Sequence, residues 1–391
     1  MYLLDFMNSH KNNWQDILSA PPYSLTIKTE GIYHIIKYNM LLSDFTLPEV
    51  IEARGSIFRW DVTDARYYCV ARALDKFANW QEPYAVTADI DWAAGVDVQE
   101  KVDGSLCKLW YDEEAWHLST NGTIDSKKVE CGDSNFYDTF FRVLGITMER
   151  FTESLDTTVC YWFELVSKDN PIVVQYKDEA VYYLGARSMR TMREYPCNEK
   201  PFIAANIRFP KHYTYHSLAE CVEAAHQMGD DEEGYVVVAR GMRNDSFLRV
   251  KVKGDEYLRL HKMRGGGVLT VRRVIELWTT DLLDDFVGNF PEYQEFVQTV
   301  MDKVVNLIEK YDETYNMAMK MCGGLSRKDA AQKINEIFTS RGAAYVFARM
   351  NGKVQNAVMY VFNNAKRSYR KFGDYIAAQL DTTEYGVEEE V

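Results

Sequence analysis

Glu100-Lys101-Val102-Asp103-Gly104-Ser105-Leu106 is the stretch on which the reading of this chain turns. It lies between a polar turn and a strand-like run, Leu106–Tyr111, so Lys101 is placed at the mouth of a sheet rather than inside it. A lysine so placed is either a solvated surface residue or a nucleophile. Four residues of the pattern K-x-D-G recur by chance, and they do not decide between the two. A free lysine has a pKa of about 10.4, and attack requires the neutral amine. Neighbouring cations are therefore needed to push the proton off, and the rest of the chain can be searched for them.

Arg249-Val-Lys251-Val-Lys253 supplies such cations. With the two-residue period of a strand, Arg249, Lys251 and Lys253 share one face, and the valines share the other. Three like charges on one short strand repel unless an anion lies between them, and a polyphosphate would fill that place. A solvated edge strand is the alternative. Two carboxylates open or interrupt strongly apolar strands. Glu164 stands in Tyr161-Trp-Phe-Glu-Leu-Val166 on the same side as Trp162 and Val166, where a charge is costly unless paired or bound to a ligand. Glu233 opens Glu233-Gly-Tyr-Val-Val-Val238. As Mg²⁺ takes one or two carboxylates and completes its shell with phosphate and water, Glu233 is a candidate metal contact, with Glu164 a second. Either could instead point to water. Earlier in the chain, Arg54-Gly55 and Lys76-Phe77 offer further phosphate contacts.

The 391 residues allow two domains or more. With 47% hydrophobic and 26% charged residues, and 26 Tyr against 9 Pro, the chain is globular rather than disordered. No apolar run reaches a membrane span, and the first residues lack a signal-peptide pattern, so a cytoplasmic protein without a membrane partner is expected. The seven Cys are scattered without a CxxC and are read as reduced thiols; a structural zinc site is not expected. The net charge of −13 conceals a basic stretch: eight Lys/Arg against two acids between Arg249 and Ile275.

Strand-like runs dominate residues 1–262: Tyr33–Tyr38, Gly55–Trp60, Ser105–Tyr111, Val159–Val166, Val181–Ala186, Gly234–Ala239 and Phe247–Val252. Helices are expected at Asn135–Leu144 and Ser217–Met228. After the hinge-like Gly265-Gly266-Gly267 the period changes. Val297, Met301, Val304, Ile308, Tyr311 and Tyr315 recur at three- and four-residue spacing, and Ser326 reads as a helix cap. The expected fold is α+β: an N-terminal domain over residues 1–262, of mainly antiparallel sheets with flanking helices, and an all-α C-terminal domain over residues 263–391. An acidic tail, Glu384–Val391, is expected to fray.

In this order the elements resemble the bacteriophage RNA ligase 1 family of covalent nucleotidyltransferases. The resemblance rests on Lys101-Val-Asp-Gly104, Phe163-Glu-Leu-Val166, Glu233-Gly-Tyr-Val-Val-Val238 and Lys251-Val-Lys253, with Glu52-Ala-Arg-Gly55 and Lys76-Phe77 upstream, and covers residues 30–262. It implies an adenylyltransferase that uses ATP and Mg²⁺, or Mn²⁺ in its place, and stores AMP on Lys101. RNA with 5′-phosphate and 3′-hydroxyl ends is the implied substrate, a broken tRNA being one candidate, and the protein would act as a monomer in RNA repair. It further implies catalytic roles for Lys101, Lys251, Lys253 and Glu233. Nucleotide contacts are implied for Arg54, Lys76, Phe77, Glu100, Asp103, Gly104, Glu164 and Arg187. One departure stands out: where the family often has a Lys in a S-K-G turn, this chain has Thr120-Asn121-Gly122.

Two rivals remain at this level. A DNA ligase or capping enzyme shares the core but follows it with a small β-barrel, which the helical pattern after Lys262 disfavours. A non-catalytic RNA-binding relative would rely on the basic stretch through Arg273 and on Lys366-Arg367-Ser-Tyr369-Arg370-Lys371. The intact charged set from Lys101 to Lys253 argues against it.

Overall fold

The computed structural model describes residues 1–39, 42–82, 84–169, 174, 176–196, 206–229, 231–241, 247–255, 257, 269–280, 283, 286, 287 and 290–379. The glycine triplet 265–267, the acidic tail and Cys197 lie outside the described residues. The chain divides into two compact units, Met1–His261 and Lys262–Val391.

Two short helices, α1 (Tyr2–Ser9) and α2 (Trp14–Ser19), open the first unit. Leu3 and Met7, and Trp14 and Leu18, fall four residues apart and so share a face. They bury it against Ile27, Ile36 and Phe58 of the first sheet. That sheet is an antiparallel meander of β1 (Thr26–Glu30), β2 (Tyr33–Lys37), β3 (Arg54–Asp61) and β4 (Arg66–Ala71), with helix α3 (Pro48–Glu52) between β2 and β3.

The next strands are β5 (Ala78–Asn79), β6 (Val96–Glu100), β7 (Ser105–Asp112), β8 (Ala115–Thr120), β9 (Glu130–Cys131) and β10 (Ser134–Asn135). They are followed by β11 (Val159–Val166), β12 (Ala180–Ser188), β13 (Glu194–Pro196), β14 (Ile207–Arg208), β15 (His212–Tyr213), β16 (Gly234–Arg240) and β17 (Phe247–Lys253). A six-stranded sheet runs β13-β12-β11-β7-β8, with β14 parallel to β12, and a five-stranded sheet runs β15-β6-β16-β17-β5. All pairings in these sheets are antiparallel except β12–β14 and β17–β5. The fold is thus α+β with mainly antiparallel sheets, as the alternating patterns predict.

Helix α4 (Phe136–Leu144) starts where expected: the Asn135 side-chain oxygen accepts the Asp138 N–H, and Gly145 closes the helix at φ 68°. Its Phe140, Phe141 and Leu144, with Phe151 of α5 (Met148–Thr152), cover Phe163, Leu165, Val181 and Tyr183 of the six-stranded sheet. Each fully buried Phe there contributes about 2–3 kcal/mol. Helix α6 (Leu218–His226) starts on its Ser217 cap and buries Cys221 and Ala225 against Val237, Val250 and Val252 of the five-stranded sheet. Among the described residues the cysteines are free thiols, five of them buried.

The described part of the second unit is helical: Val271–Thr279, Gln294–Cys322, Arg327–Ile337, Ser340–Met350, Ala357–Arg367 and Tyr369–Ala377, with one 3₁₀ turn at Pro291–Tyr293. Val297, Met301, Val304, Ile308 and Tyr311 are buried along the longest helix, as their spacing predicts. The Ser326 hydroxyl accepts the Asp329 N–H and starts the next helix. Among the described residues no helix is long and apolar enough to cross a membrane.

Candidate active site

The five-stranded sheet builds the centre of the site through its register. Tyr235 pairs with Glu100, and Gly234 pairs with Lys253. The residue after β6 and the residue before β16 therefore meet at one end of the sheet, where the Lys101 N–H donates to the Gly234 carbonyl at 2.8 Å. Above this backbone contact, Lys101 Nζ lies 2.6 Å from Glu233 Oε2, and Lys253 Nζ lies 3.3 Å from Glu233 Oε1. Glu233 and Lys253 are 2% exposed and Lys101 is 19% exposed, so the nucleophile candidate alone of the three reaches solvent. Gly234 is required here. Its φ is 148°, and a Cβ would overlap the Val252 carbonyl oxygen.

Glu164 joins the cluster from β11, a central strand between β12 and β7 rather than an edge. Phe163 and Leu165 bury into the core on one side, which turns Glu164 the other way, as the alternation predicts. The carboxyl keeps a little solvent contact, yet enough protein surrounds it that burial pushes its pKa up to about 7. Lys101 and Arg54 act against that rise, and Glu233 and Asp103 add to it. Gly104 admits β11 to this place: a Cβ there would stand 2.6 Å from the Leu165 carbonyl oxygen and 2.9 Å from Glu164 Cγ.

Arg54 and Lys251 both lie over the Phe77 ring, at 5.2 and 5.4 Å from its centroid. Arg54 Nη1 is buried and has no hydrogen-bond partner. An orphaned buried guanidinium nitrogen that shares an aromatic ring with a lysine is a donor set that suits an oligophosphate. The Lys76 ammonium lies against Tyr38 and Phe45, at 5.6 and 5.5 Å.

Other expected residues are placed differently. Arg187 is buried in a separate network: it donates to the Met192 carbonyl at 2.9 Å, lies 3.6 Å from Glu194 and sits over Trp162. Arg249, read as the third cation of a phosphate face, is 2.6 Å from the same Glu194, so a protein carboxylate is its anion. Asp103 is buried and accepts from Val174 N–H at 2.8 Å and Tyr257 O–H at 3.3 Å, which ties down the loop that carries Lys101. The Glu100 carboxylate accepts the Lys211 N–H at 3.1 Å. Glu194, Tyr257 and Tyr176, whose hydroxyl accepts the Asp103 N–H at 2.9 Å, were not singled out from the sequence. Except for Arg187, seven residues before Glu194, their partners lie far along the chain, and only Tyr257, four residues past Lys253, carries a local hint of the site.

Among the described residues no cluster of three metal-ligand side chains occurs. Glu164 and Glu233 offer two carboxylates, which fits a Mg²⁺ that arrives with triphosphate oxygens and water, not one held by protein alone.

A family profile described as RNA ligase matches residues 52–257. The chain belongs to the bacteriophage RNA ligase 1 family. The span that carries this RNA ligase family match contains the whole cluster, from Arg54 to Lys253. Over 288 residues the chain is 30% identical to a bifunctional polynucleotide kinase/RNA ligase of Autographa californica nuclear polyhedrosis virus, which is 70% of this chain and 40% of that one. The chain thus spans less than half the length of that viral relative. It is 24% identical to an RNA ligase of Rhodothermus phage RM378 over 90% of this chain and 92% of the relative. It is 25% identical to RNA ligase 1 of bacteriophage TS2126 over 84% of this chain and 82% of the relative. Among solved structures, an archaeal ATP-dependent RNA ligase overlaps 93% of this chain and 94% of its own at a TM-score of 0.44, with 13% identity.

Proposed function

We propose that this chain is an ATP-dependent RNA ligase that carries AMP on Lys101 and joins RNA 5′-phosphate and 3′-hydroxyl ends. The observation that carries the reading is Lys101 Nζ held 2.6 Å from a buried Glu233, which Lys253 also contacts, with Lys251 two residues before Lys253 on β17 and Arg54 over the same Phe77 ring as Lys251. Attack requires Lys101 to give up a proton, and Glu233 is the carboxylate placed to take it. The Nζ lone pair then forms a bond to the α-phosphorus of ATP, and the bond to pyrophosphate breaks. The 5′-phosphate of an RNA displaces the lysine from AMP, and a 3′-hydroxyl then displaces AMP and closes the phosphodiester. Positioning and neutralisation of charge supply most of the rate. Lys251 and Lys253 hold the α-phosphate, Arg54 and Lys76 the outer phosphates, and Phe77 supports the Arg54–Lys251 pair. Glu164 accepts the ribose hydroxyl, and the Glu100 backbone faces the base. Glu233 and Glu164 are the residues that would hold Mg²⁺, which when bound spreads negative charge on the phosphate oxygens.

The domain division at residues 262/263 and the role of the helical part extend this reading. Lys366, Arg367, Arg370 and Lys371 are exposed around Tyr369, a surface suited to an RNA backbone, a tRNA being one candidate. The protein would act as a monomer in the host cytoplasm, in RNA repair. Incubation with α-labelled ATP and Mg²⁺ tests the central claim. Label is expected on the wild type and absent from Lys101→Ala, and it should pass to 5′-phosphorylated RNA. An unlabelled wild type, or a labelled Lys101→Ala, ends the proposal.

A further inference from the structure

Lys108 lies within β7, wholly buried, with Ser119 and Trp162 as its cross-strand neighbours. Among the described residues it has no carboxylate at ion-pair distance. Its ammonium donates to the carbonyl oxygen of Gly55, and burial, with Arg54 adding to it, pushes its pKa down to about 8. Packing does not account for a lysine here, since a Met would fill the same volume without the cost of desolvating a charge.

The contact is on the residue next to Arg54. Gly55 has φ 71°, and a Cβ on it would overlap the Asn121 carbonyl oxygen and stand 2.9 Å from both Asn121 Oδ1 and Lys108 Nζ. Three chain segments thus converge on one glycine. Two polar atoms of this group are buried without a partner, Arg54 Nη1 and Asn121 Oδ1. Gly55 is the extra residue where β3 slips register against β2, and a strand start held this tightly fixes where Arg54 stands, with Nη1 left without a hydrogen-bond partner and the guanidinium over Phe77.

We propose that Lys108 is a positioning residue for adenylylation: its ammonium holds the Gly55 carbonyl and thereby aims the Arg54 guanidinium at the nucleotide's phosphates. This rests on the ligase reading above. The test is a double-mutant cycle of Lys108→Met and Arg54→Ala in the full chain. Transfer of label from α-labelled ATP to Lys101 is measured in single turnovers at varied ATP, and sealing of pre-adenylylated RNA is measured without ATP. If Lys108 acts through Arg54, K108M raises the ATP concentration for half-maximal rate about tenfold, and the double variant is no worse than R54A alone. Sealing of pre-adenylylated RNA then stays within about threefold of wild type, which also shows the variant to be folded. Unchanged ATP dependence overturns the proposal, as do losses that multiply in the double variant or a loss as large in sealing as in adenylylation. If K108M does not fold, Lys108→Leu, which also removes the donor, enters the same cycle, and the same results support or overturn the proposal. A wild type that takes no label on Lys101 fails the ligase reading itself, an outcome separate from any behaviour of Lys108.

Discussion

Replacing Glu164 by Gln isolates what its carboxylate costs the fold. Burial moves its pKa from 4.5 to about 7, so the native state favours the protonated acid more than the unfolded chain does. Stability from this group is therefore fully present below pH 4.5 and is lost as pH rises through 7. At about 1.4 kcal/mol per pH unit, the loss reaches at most about 3 kcal/mol and is then constant. Gln has no charge to bury. Urea unfolding of wild type and Glu164→Gln between pH 5 and 9 should give curves that separate in favour of the variant up to pH 7 and run parallel above it. On the proposed ligase reading the same variant should bind ATP more weakly, because that reading makes the ionised carboxylate the acceptor for the ribose hydroxyl. A stability difference that is flat with pH, or that favours the wild type at alkaline pH, would refute the argument, since it would mean that Lys101 and Arg54 fully compensate the buried charge.

Gly234→Ala forces a Cβ into the Val252 carbonyl at a φ of 148°, and should cost about 3 kcal/mol or more, seen as a lower urea midpoint together with faster amide exchange along β6 and β16. Glu194→Gln leaves Arg187 and Arg249 buried without their shared anion; a loss of about 3–5 kcal/mol is expected by thermal unfolding, and a loss under about 1 kcal/mol would show that the network is solvated. Reversing Lys366, Arg367, Arg370 and Lys371 to Glu should weaken RNA binding and flatten its salt dependence in fluorescence anisotropy, while label transfer to Lys101 is unchanged.

What could be read in advance followed from strong local periodicity. Strands β11 and β16 are continuous apolar runs rich in β-branched and aromatic residues, β17 alternates Arg249, Lys251 and Lys253 with valines, and the helix Gln294–Cys322 repeats apolar residues at every third or fourth position. The cap at Ser326 carries its own hydrogen-bonding chemistry and was legible for that reason, while Asn135 and Ser217, expected only as the first residues of helices, also cap theirs. Strand β6, Val-Asp-Val-Gln-Glu, is short and polar, and only its place between β15 and β16 makes it a strand. The charged face of β17 showed that anions were needed but not which. Glu194, on a three-residue strand of another sheet, supplies one of them. Lys108 was open to the argument applied to Glu164, a charge within an apolar run, Ser105-Leu-Cys-Lys-Leu-Trp110. Its partner is a backbone oxygen 53 residues away, which no side-chain pattern announces.

The antiparallel pairing of β6 with β16 has a kinetic meaning. Lys101 directly follows one strand and Glu233 directly precedes its neighbour, so zipping these two strands brings amine and acid together across 132 positions of chain without a later search. On the proposed reading, acquiring reactivity and completing this sheet are one event, and a nascent chain that has not yet closed it carries Lys101 without its Glu233 partner.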